Sequence, residues 1–405
     1  MDYDVIVVGA GLAGLRCAGL LAAAGLEVCL LESSDRIGGR VATDEIDGFT
    51  IDRGFQLLNP AYPALARAVD LDLLDLRSFR PGVILRRDGQ DRVLADPRRS
   101  PKHTLATIRN LPGSRLQQLR LGRALLTLAT GKSPRLPKPE QSTLAWFERL
   151  GLEGPIIHDL LQPFLAGVTL DPSLQSSSNF TGLVLRSLLR GNAAVPACGM
   201  AALPKLLAKA LDGATVELNT TVEAISATTV DTRSRSRHAR AVVLATNASS
   251  AAALTAVTAP SSNHVTTWWH AVSEPVTRDL LVLDLDDNPI TNSAAMSAIA
   301  PYAPQGRGLV ASSAPGRWSE PSSEAEVAEA VARQLQVARG DVQLVATSTI
   351  TDALPKMDVP LNTLPPLRVG GIFMAGDYRA TASIQGALAS GERAARAVLA
   401  QLLAK

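Results

Sequence analysis

The apolar positions of this chain fall into short dense runs closed by glycine or acid, and each run predicts an element. Val5-Ile6-Val7-Val8 is β-branched and unbroken, as a strand covered on both faces requires. Leu15, Ala18, Leu21 and Ala22 then recur at helical spacing, and Gly25 stands where that helix would end. Glu27 to Glu32 predicts a second strand. Further along, Trp268-Trp269-His270 and Leu280 to Leu285 read as strands. Val327, Val331 and Leu335 predict an amphipathic helix over 324–337. Asp231 to Arg240, with arginine at 233, 235 and 237, reads as an exposed hairpin, and Pro134, Pro137 and Pro139 mark a loop. Strand and helix alternate at the start, which predicts an α/β class.

Between the first strand and the first helix lies Gly9-Ala10-Gly11-Leu12-Ala13-Gly14, a G-x-G-x-x-G pattern. In such a unit Gly9 makes the turn, Gly11 lets backbone approach a pyrophosphate, and Gly14 lets helix and strand pack closely. Glu32 ends the second strand 23 residues after Gly9, placed to bind ribose hydroxyls. A membrane span or secretory signal is the competing reading of this apolar stretch. Asp2 and Asp4 occupy the flank where a signal carries Lys and Arg, and five glycines and Arg16 interrupt the run.

Glu32 to Arg40, with Gly38-Gly39-Arg40 at its end, resembles the continuation found in the flavin amine oxidase, phytoene desaturase and protoporphyrinogen oxidase-like superfamily. Asp52-Arg53-Gly54-Phe55-Gln56 resembles that family's segment passing the flavin ring. Gly371 to Asp377, followed by the small-residue stretch Ser383 to Ala395, resembles its C-terminal strand and helix. Val216 to Val222 and Ala241 to Asn247 are similar to its adenine-side strand and its returning "VVLAT" strand. The resemblance implies a Rossmann-type FAD-binding domain, discontinuous over 1–78, 190–262 and 345–405. An α+β substrate domain is inserted, from 79–189 and 263–344. It implies FAD contacts at Gly9, Gly11, Gly14, Glu32, Gly39, Arg40, Gly54, Phe55, Gln56, Val222, Gly376, Asp377, Ser383 and Ile384. Arg40 would neutralise the pyrophosphate, Asp377 would hold a ribityl hydroxyl, and the helix starting at Ser383 would face the flavin with its positive end. Some relatives attach flavin to a cysteine before the C-terminal Gly-Asp. Thr351 to Gly371 has none, so non-covalent FAD is expected.

The bulk numbers change little. With 405 residues, 46 % hydrophobic and 19 % charged, the chain is an ordinary globular protein of two or three domains. Three scattered cysteines fit a reducing, cytoplasmic setting, and no CxxC or HExxH spacing suggests a metal. A net charge of +2 gives no pull toward nucleic acid. The charge distribution is more informative: from Arg98 to Lys138 there are ten Arg/Lys and no acid, interspersed with Leu116, Leu119, Leu125 and Leu128. That segment is either a solvated face or a patch for an anionic membrane, which would make the protein membrane-peripheral.

For chemistry, Phe55, Gln56, Tyr378, Trp269 and His270 are the pocket candidates. Gln56 is read equally as a backbone partner, Tyr378 as closing a loop, and Trp269 and His270 as core. His158 reads as structural. Many amine oxidases of the superfamily set a lysine beside the flavin, yet no lysine lies between Lys209 and Lys356. The aromatic partner expected at the C-terminal helix is replaced by Ser383 and Ile384. The expected activity is hydride removal from carbon of a bulky, largely apolar substrate. Amine oxidation is the alternative. A non-catalytic lipid carrier, like the GDP-dissociation inhibitors of this fold, would have no use for Gly9, Glu32, Arg40 and Asp377.

Overall fold

The structure is a computed structural model that describes residues 2–131, 133–258, 260–318, 321–362 and 365–403. Six strands and five helices organise it: β1 (Tyr3–Val8), α1 (Leu12–Ala23), β2 (Val28–Leu31), α2 (Thr104–Asn110), α3 (Arg115–Ala129), α4 (Ser178–Arg190), β3 (Ser236–Leu244), β4 (Ser262–Val272), β5 (Val342–Pro355), β6 (Ile372–Met374) and α5 (Ile384–Leu403).

β1 lies at the centre of an eight-stranded sheet, parallel to β2 on one side and β3 on the other. β6 continues the parallel set beside β3. Alternate residues of β1 feed two cores. Val5 and Val7 pack with Leu15, Leu21, Leu30, Val243 and Phe373. Ile6 and Val8 pack with Cys29, Leu31, Val242 and Met374. A strand covered on both faces has no position for a polar side chain, which is why its sequence is an unbroken apolar run.

Gly9 turns the chain at φ +101° and α1 begins directly after Gly11. A Cβ at Gly14 would lie 1.8 Å from the Gly9 carbonyl oxygen, so only glycine lets the helix sit this close to the loop. α5 crosses α1 in the same way, with a Gly391 Cβ falling 2.2 Å from the Ala13 carbonyl oxygen. Beside that crossing the buried Glu392 carboxylate pairs with Arg67 at 3.2 Å and Arg16 at 3.8 Å. The two ends of the chain therefore form one body.

The second sheet has seven strands, ordered β5, β4, 308–315, 292–295, 281–284, 82–87, 90–95. Successive β4 residues face opposite ways: Trp268 packs under helix Pro321–Leu335, while Trp269 joins the core of the first sheet. α3, α4 and the segments around Trp146 and Leu165 form a helical cluster at the far edge.

Three sequence expectations need revision. The 216–222 stretch is two short strands, Thr215–Glu217 and Val222–Ile225, separated by Asn219 at φ +53°. The 231–240 hairpin is exposed at its tip, yet Arg237 is buried against Glu217. β5 is a single 14-residue strand running through residue 345, where the return to the first domain is expected. Among the described residues no helix is long and apolar enough to cross a membrane.

Replacing Gly391 with valine should force α5 off α1. The expected loss is about 1–3 kcal/mol, as for overpacked cores, seen as a lower thermal midpoint. An unchanged midpoint would mean that the crossing can open without consequence.

Candidate functional site

The loop Gly9–Gly14 and its neighbours build one half of the site. The Ala10 N–H donates to Glu32 Oε2 at 2.8 Å, and the Ser34 N–H and hydroxyl donate to Oε1, each at 2.9 Å. Glu32 is thereby fixed beside the loop. The Thr220 N–H donates to the Glu32 carbonyl at 2.8 Å, so the turn before Val222 runs past the same acid. Gly38 donates to the Ala10 carbonyl at 2.8 Å, and the Gly38-Gly39 pair, both at positive φ, lies against Gly11.

Arg40 carries the loop across to the C-terminal segment. Its Nη2 donates to Asp377 Oδ2 at 2.8 Å, and its Nη1 donates to the Ala353 carbonyl at 2.6 Å. Asp377 is buried and also accepts from the Tyr378 N–H. Asp377 follows Gly376, where a Cβ would strike the Tyr378 ring at 2.4 Å. Ser383 accepts from the Gly386 N–H at 3.0 Å and so caps the first turn of α5, with Ile384 half-buried behind it.

A cleft of about 550 Å³ opens between these parts. Gly39, Arg40, Arg53 and Asn247 line one side, and Thr347 to Asp352 of β5 line the other. Hydroxyls, amides and guanidinium groups dominate it, with Ile350 its one large apolar side chain. Arg53 is held by Asp44 at 2.7 Å, and Asp352 by Ser249 at 2.6 Å. The β5 face and Asn247 went unread in the sequence. The only signal was the run Thr347-Ser348-Thr349-Ile350-Thr351, too polar for a core strand.

The pocket candidates part company here. Gln56 Nε2 donates to the Arg40 and Arg53 carbonyls at 2.6 and 3.0 Å, shaping the loop. Phe55, just after Gly54 at φ +86°, is half-buried, and its N–H donates to Thr267. Trp269 and His270 are fully buried in β4 and do not reach the cleft. Neither His270 ring nitrogen has a partner, and burial lowers its pKa to about 4. An imidazole sealed away from the cleft can exchange no proton with a substrate there. Tyr378 packs in the core on the far face of the first sheet, and burial raises its hydroxyl pKa. His158 lies in a separate surface crevice, bonded to Gln162 at 3.0 Å.

Behind the cleft sits a buried network that the sequence did not announce. Asp52 Oδ1 accepts from the Thr43 hydroxyl at 2.6 Å and the Met200 N–H at 2.8 Å, and Oδ2 accepts from the Tyr302 hydroxyl at 3.0 Å. Burial pushes its carboxyl up to about 6 against the pull of those donors.

The site can be tested for a flavin dinucleotide directly. A Cβ on Gly11 would meet nothing within 4 Å, whereas one on Gly14 has no room at all. Gly11 therefore borders open space at the start of a twelve-residue helix, whose free N–H groups suit a phosphate. A fixed acid, a bound arginine and a second acid follow along the same path, and this donor set fits FAD.

The comparisons agree. Residues 12–399 match the family of flavin containing amine oxidoreductases. The chain belongs to that family. It is 31 % identical over 195 residues to a chloroplastic protoporphyrinogen oxidase of Nicotiana tabacum, covering 45 % of this chain and 32 % of that one. It is 42 % identical over 92 residues to a putrescine oxidase of Kocuria rosea, covering 22 % and 19 %. The matches thus span a third or less of these curated relatives. Solved structures share the fold over the full length. A putative protoporphyrinogen oxidase from Exiguobacterium sp. 255-15 superposes with TM-score 0.73 at 17 % identity, covering 99 % of each chain. Cyclohexylamine oxidase from Brevibacterium oxydans IH-35A gives 0.74 at 18 %, covering 100 % of each.

The raised Asp52 carboxyl has a consequence for pH. Its folded value lies above the ordinary 3.8, so its contribution to stability is full below about pH 4 and is lost as pH rises through about 6. Asp52→Asn has no charge to bury. Between about pH 4 and 7 the wild type should lose stability relative to this variant, on the order of 2 kcal/mol. Parallel thermal midpoints across that window would show that Asp52 titrates as an ordinary carboxyl.

Proposed function

We propose that this enzyme removes a hydride from a carbon centre of a bulky, largely apolar substrate and uses one non-covalently held FAD. The first sheet is read as a Rossmann-type domain for the dinucleotide, with the second sheet and helical cluster as the inserted substrate domain. The unbroken run of β5 to Pro355 supports drawing the last boundary near residue 355. Gly9, Gly11 and Gly14 would admit the pyrophosphate, Glu32 the adenosine ribose, and Val222 the adenine. Gly39 and Arg40 would neutralise the phosphates, and Gly376 and Asp377 would take a ribityl hydroxyl. Gly54, Phe55, Gln56, Ser383 and Ile384 would border the ring. Bound FAD would supply the hydride acceptor.

The observation that carries the choice of substrate is the absence of a lysine base. β5 presents Thr347 to Asp352 to the cleft, and no lysine occurs between Lys209 and Lys356. Among the described residues the lining of the cleft includes no aromatic ring: Tyr378, Trp268 and Trp269 are buried elsewhere, and half-buried Phe55 is not part of it. A protonated amine entering there would meet Arg40 and Arg53 instead of an aromatic face, forgoing a contact worth about 0.5–2 kcal/mol. The polar lining itself suits the flavin's ribityl and phosphate groups. The apolar part of the substrate would be met first by Ile350.

Purified protein should be yellow and should release its colour into the supernatant on acid precipitation. Gly11→Val should give a colourless protein with the wild-type circular dichroism spectrum, because the added methyls occupy only cofactor space. Retained flavin in that variant would remove Gly11 from the site. The reaction is decided by anaerobic stopped-flow absorbance with porphyrinogens, isoprenoids, monoamines and polyamines. Rapid flavin bleaching by the apolar compounds and slow bleaching by amines is expected. Rapid bleaching by an amine alone would make the enzyme an amine oxidase.

A further inference from the structure

The basic segment forms a surface whose composition departs from its surroundings. Leu105 is 83 % exposed and Leu119 72 %, and Ile108, Leu116 and Leu126 are likewise exposed. On α3, Leu116, Leu119 and Leu126 fall on one side, flanked by Arg115, Arg120 and Arg123 at helical spacing. α2 adds Leu105, Ile108 and Arg109 next to it, and the Arg115 guanidinium donates to the Ile108 carbonyl at 2.8 Å, tying the two helices together. The sequence pattern is corrected in part. Leu128 is buried and Leu125 packs against the helical core. Arg98 and Arg99 are engaged by Asp96 and by the Leu189 carbonyl. Lys132 falls outside the described residues.

What remains is a fixed, two-tone face. Lys102, Arg109, Arg123 and Arg135 are exposed and have no acidic partner among the described residues. No acid occurs in the sequence between Asp96 and Glu140 to supply one. α3 is held rigid from beneath: a Ser114–Gln117 capping box starts it, and the buried Arg186 of α4 binds the carbonyls of Leu128, Thr130 and Gly131 at its end. A helix so anchored presents Leu116, Leu119 and Leu126 to solvent.

We propose that the α2–α3 face docks the enzyme on an anionic lipid bilayer, the exposed leucines entering the interface while the arginines and Lys102 pair with headgroup phosphates. Charge and apolarity on one face match the interfacial helices of peripheral proteins. An acidic protein partner would match the charge but would leave five large apolar side chains unexplained. A single-stranded nucleic acid would need stacking rings, and 97–139 contains no Phe, Tyr or Trp. The proposal is independent of the reaction.

The test is co-sedimentation of the FAD-loaded full chain with vesicles of phosphatidylglycerol and of phosphatidylcholine. Phosphatidylglycerol vesicles should pellet the protein and phosphatidylcholine vesicles should not. Pelleting should fall between ~0.1 M and ~1 M salt, as screening shortens from ~10 Å to ~3 Å. Each positive charge near an anionic leaflet contributes about five-fold in partitioning, so Arg109→Glu with Arg123→Glu should reduce binding at least about twenty-fold. Leu116→Ser with Leu119→Ser should weaken binding at both salt levels. Flavin absorbance and circular dichroism confirm that both variants are folded. Failure to pellet with phosphatidylglycerol overturns the proposal, and so does pelleting that the charge reversals leave intact. A concentration-dependent dimer in light scattering, abolished by the leucine pair without vesicle binding, would assign the face to a second copy instead.

Discussion

Backbone has to touch backbone around the first helix, and the placement of every other part depends on it. Gly14 lies on the Gly9 carbonyl and Gly391 on that of Ala13, with separations that no side chain could share. The first contact seats α1 against the loop after β1, and the second clamps α5 across it. Together they aim the free N–H groups of the first helical turn at the open space beside Gly11. Positive potential at that point follows from peptide dipoles and needs no charged side chain. Residues nearly four hundred positions apart are thereby made neighbours before any polar interaction is considered.

Charge then fixes what packing has brought together. Arg40 reaches Asp377, and Glu392 receives Arg16 and Arg67, so both ion-pair groups join the first and last segments of the chain. The planar Arg40 fork uses one nitrogen for the carboxylate and the other for the Ala353 carbonyl. A lysine would have to reach both acceptors from a single nitrogen, without the planar fork that fixes the two directions. An arginine already oriented by protein atoms would lose little freedom on meeting an anion. Asp52 acts differently. Its bond to Tyr302 ties the β-hairpin 43–52 to the chain leading into the second sheet, and burying that carboxyl at neutral pH works against stability. Its use is to fix how the two sheets meet.

Much of this was legible because local physics wrote it into short stretches. An unbroken Val5–Val8 run, a glycine pattern and an acid at 32 define one βαβ unit without reference to anything distant, and the parallel register of β1, β2 and β3 follows from such runs. The face of β5 was illegible for the opposite reason. Its threonines gain their setting only when Arg40, from the other end of the chain, lies opposite. Trp269 and His270 were ambiguous because rarity of aromatics marks a pocket and a core alike. Sheet order decides it: β4 is second in the sheet, flanked by β5 and 308–315, and its even and odd residues both face cores. For the basic segment the charges were plain in the sequence, while the choice of exposed leucines depended on which side of α3 met Trp146 and Leu165.

The protein groups around the cleft restrict the chemistry further than the missing lysine does. Loss of a hydride leaves a substrate carbon electron-poor, and a protein usually answers with a base or a nearby carboxylate. Threonine and serine hydroxyls on β5 cannot accept a proton at neutral pH. Asp352 is engaged by Ser249, Asp377 by Arg40, and Asp52 is buried among Thr43, Met200 and Tyr302. His270 is neutral but walled in. Arg40 and Arg53 add positive charge to the same space. On the proposed hydride transfer, a substrate oxidised here would have to spread the developing charge over its own framework or release its proton to water. Conjugated apolar molecules meet the first condition, whereas an alkylamine meets it only as the free base, through its nitrogen lone pair, and a protonated one would first have to lose its proton to water.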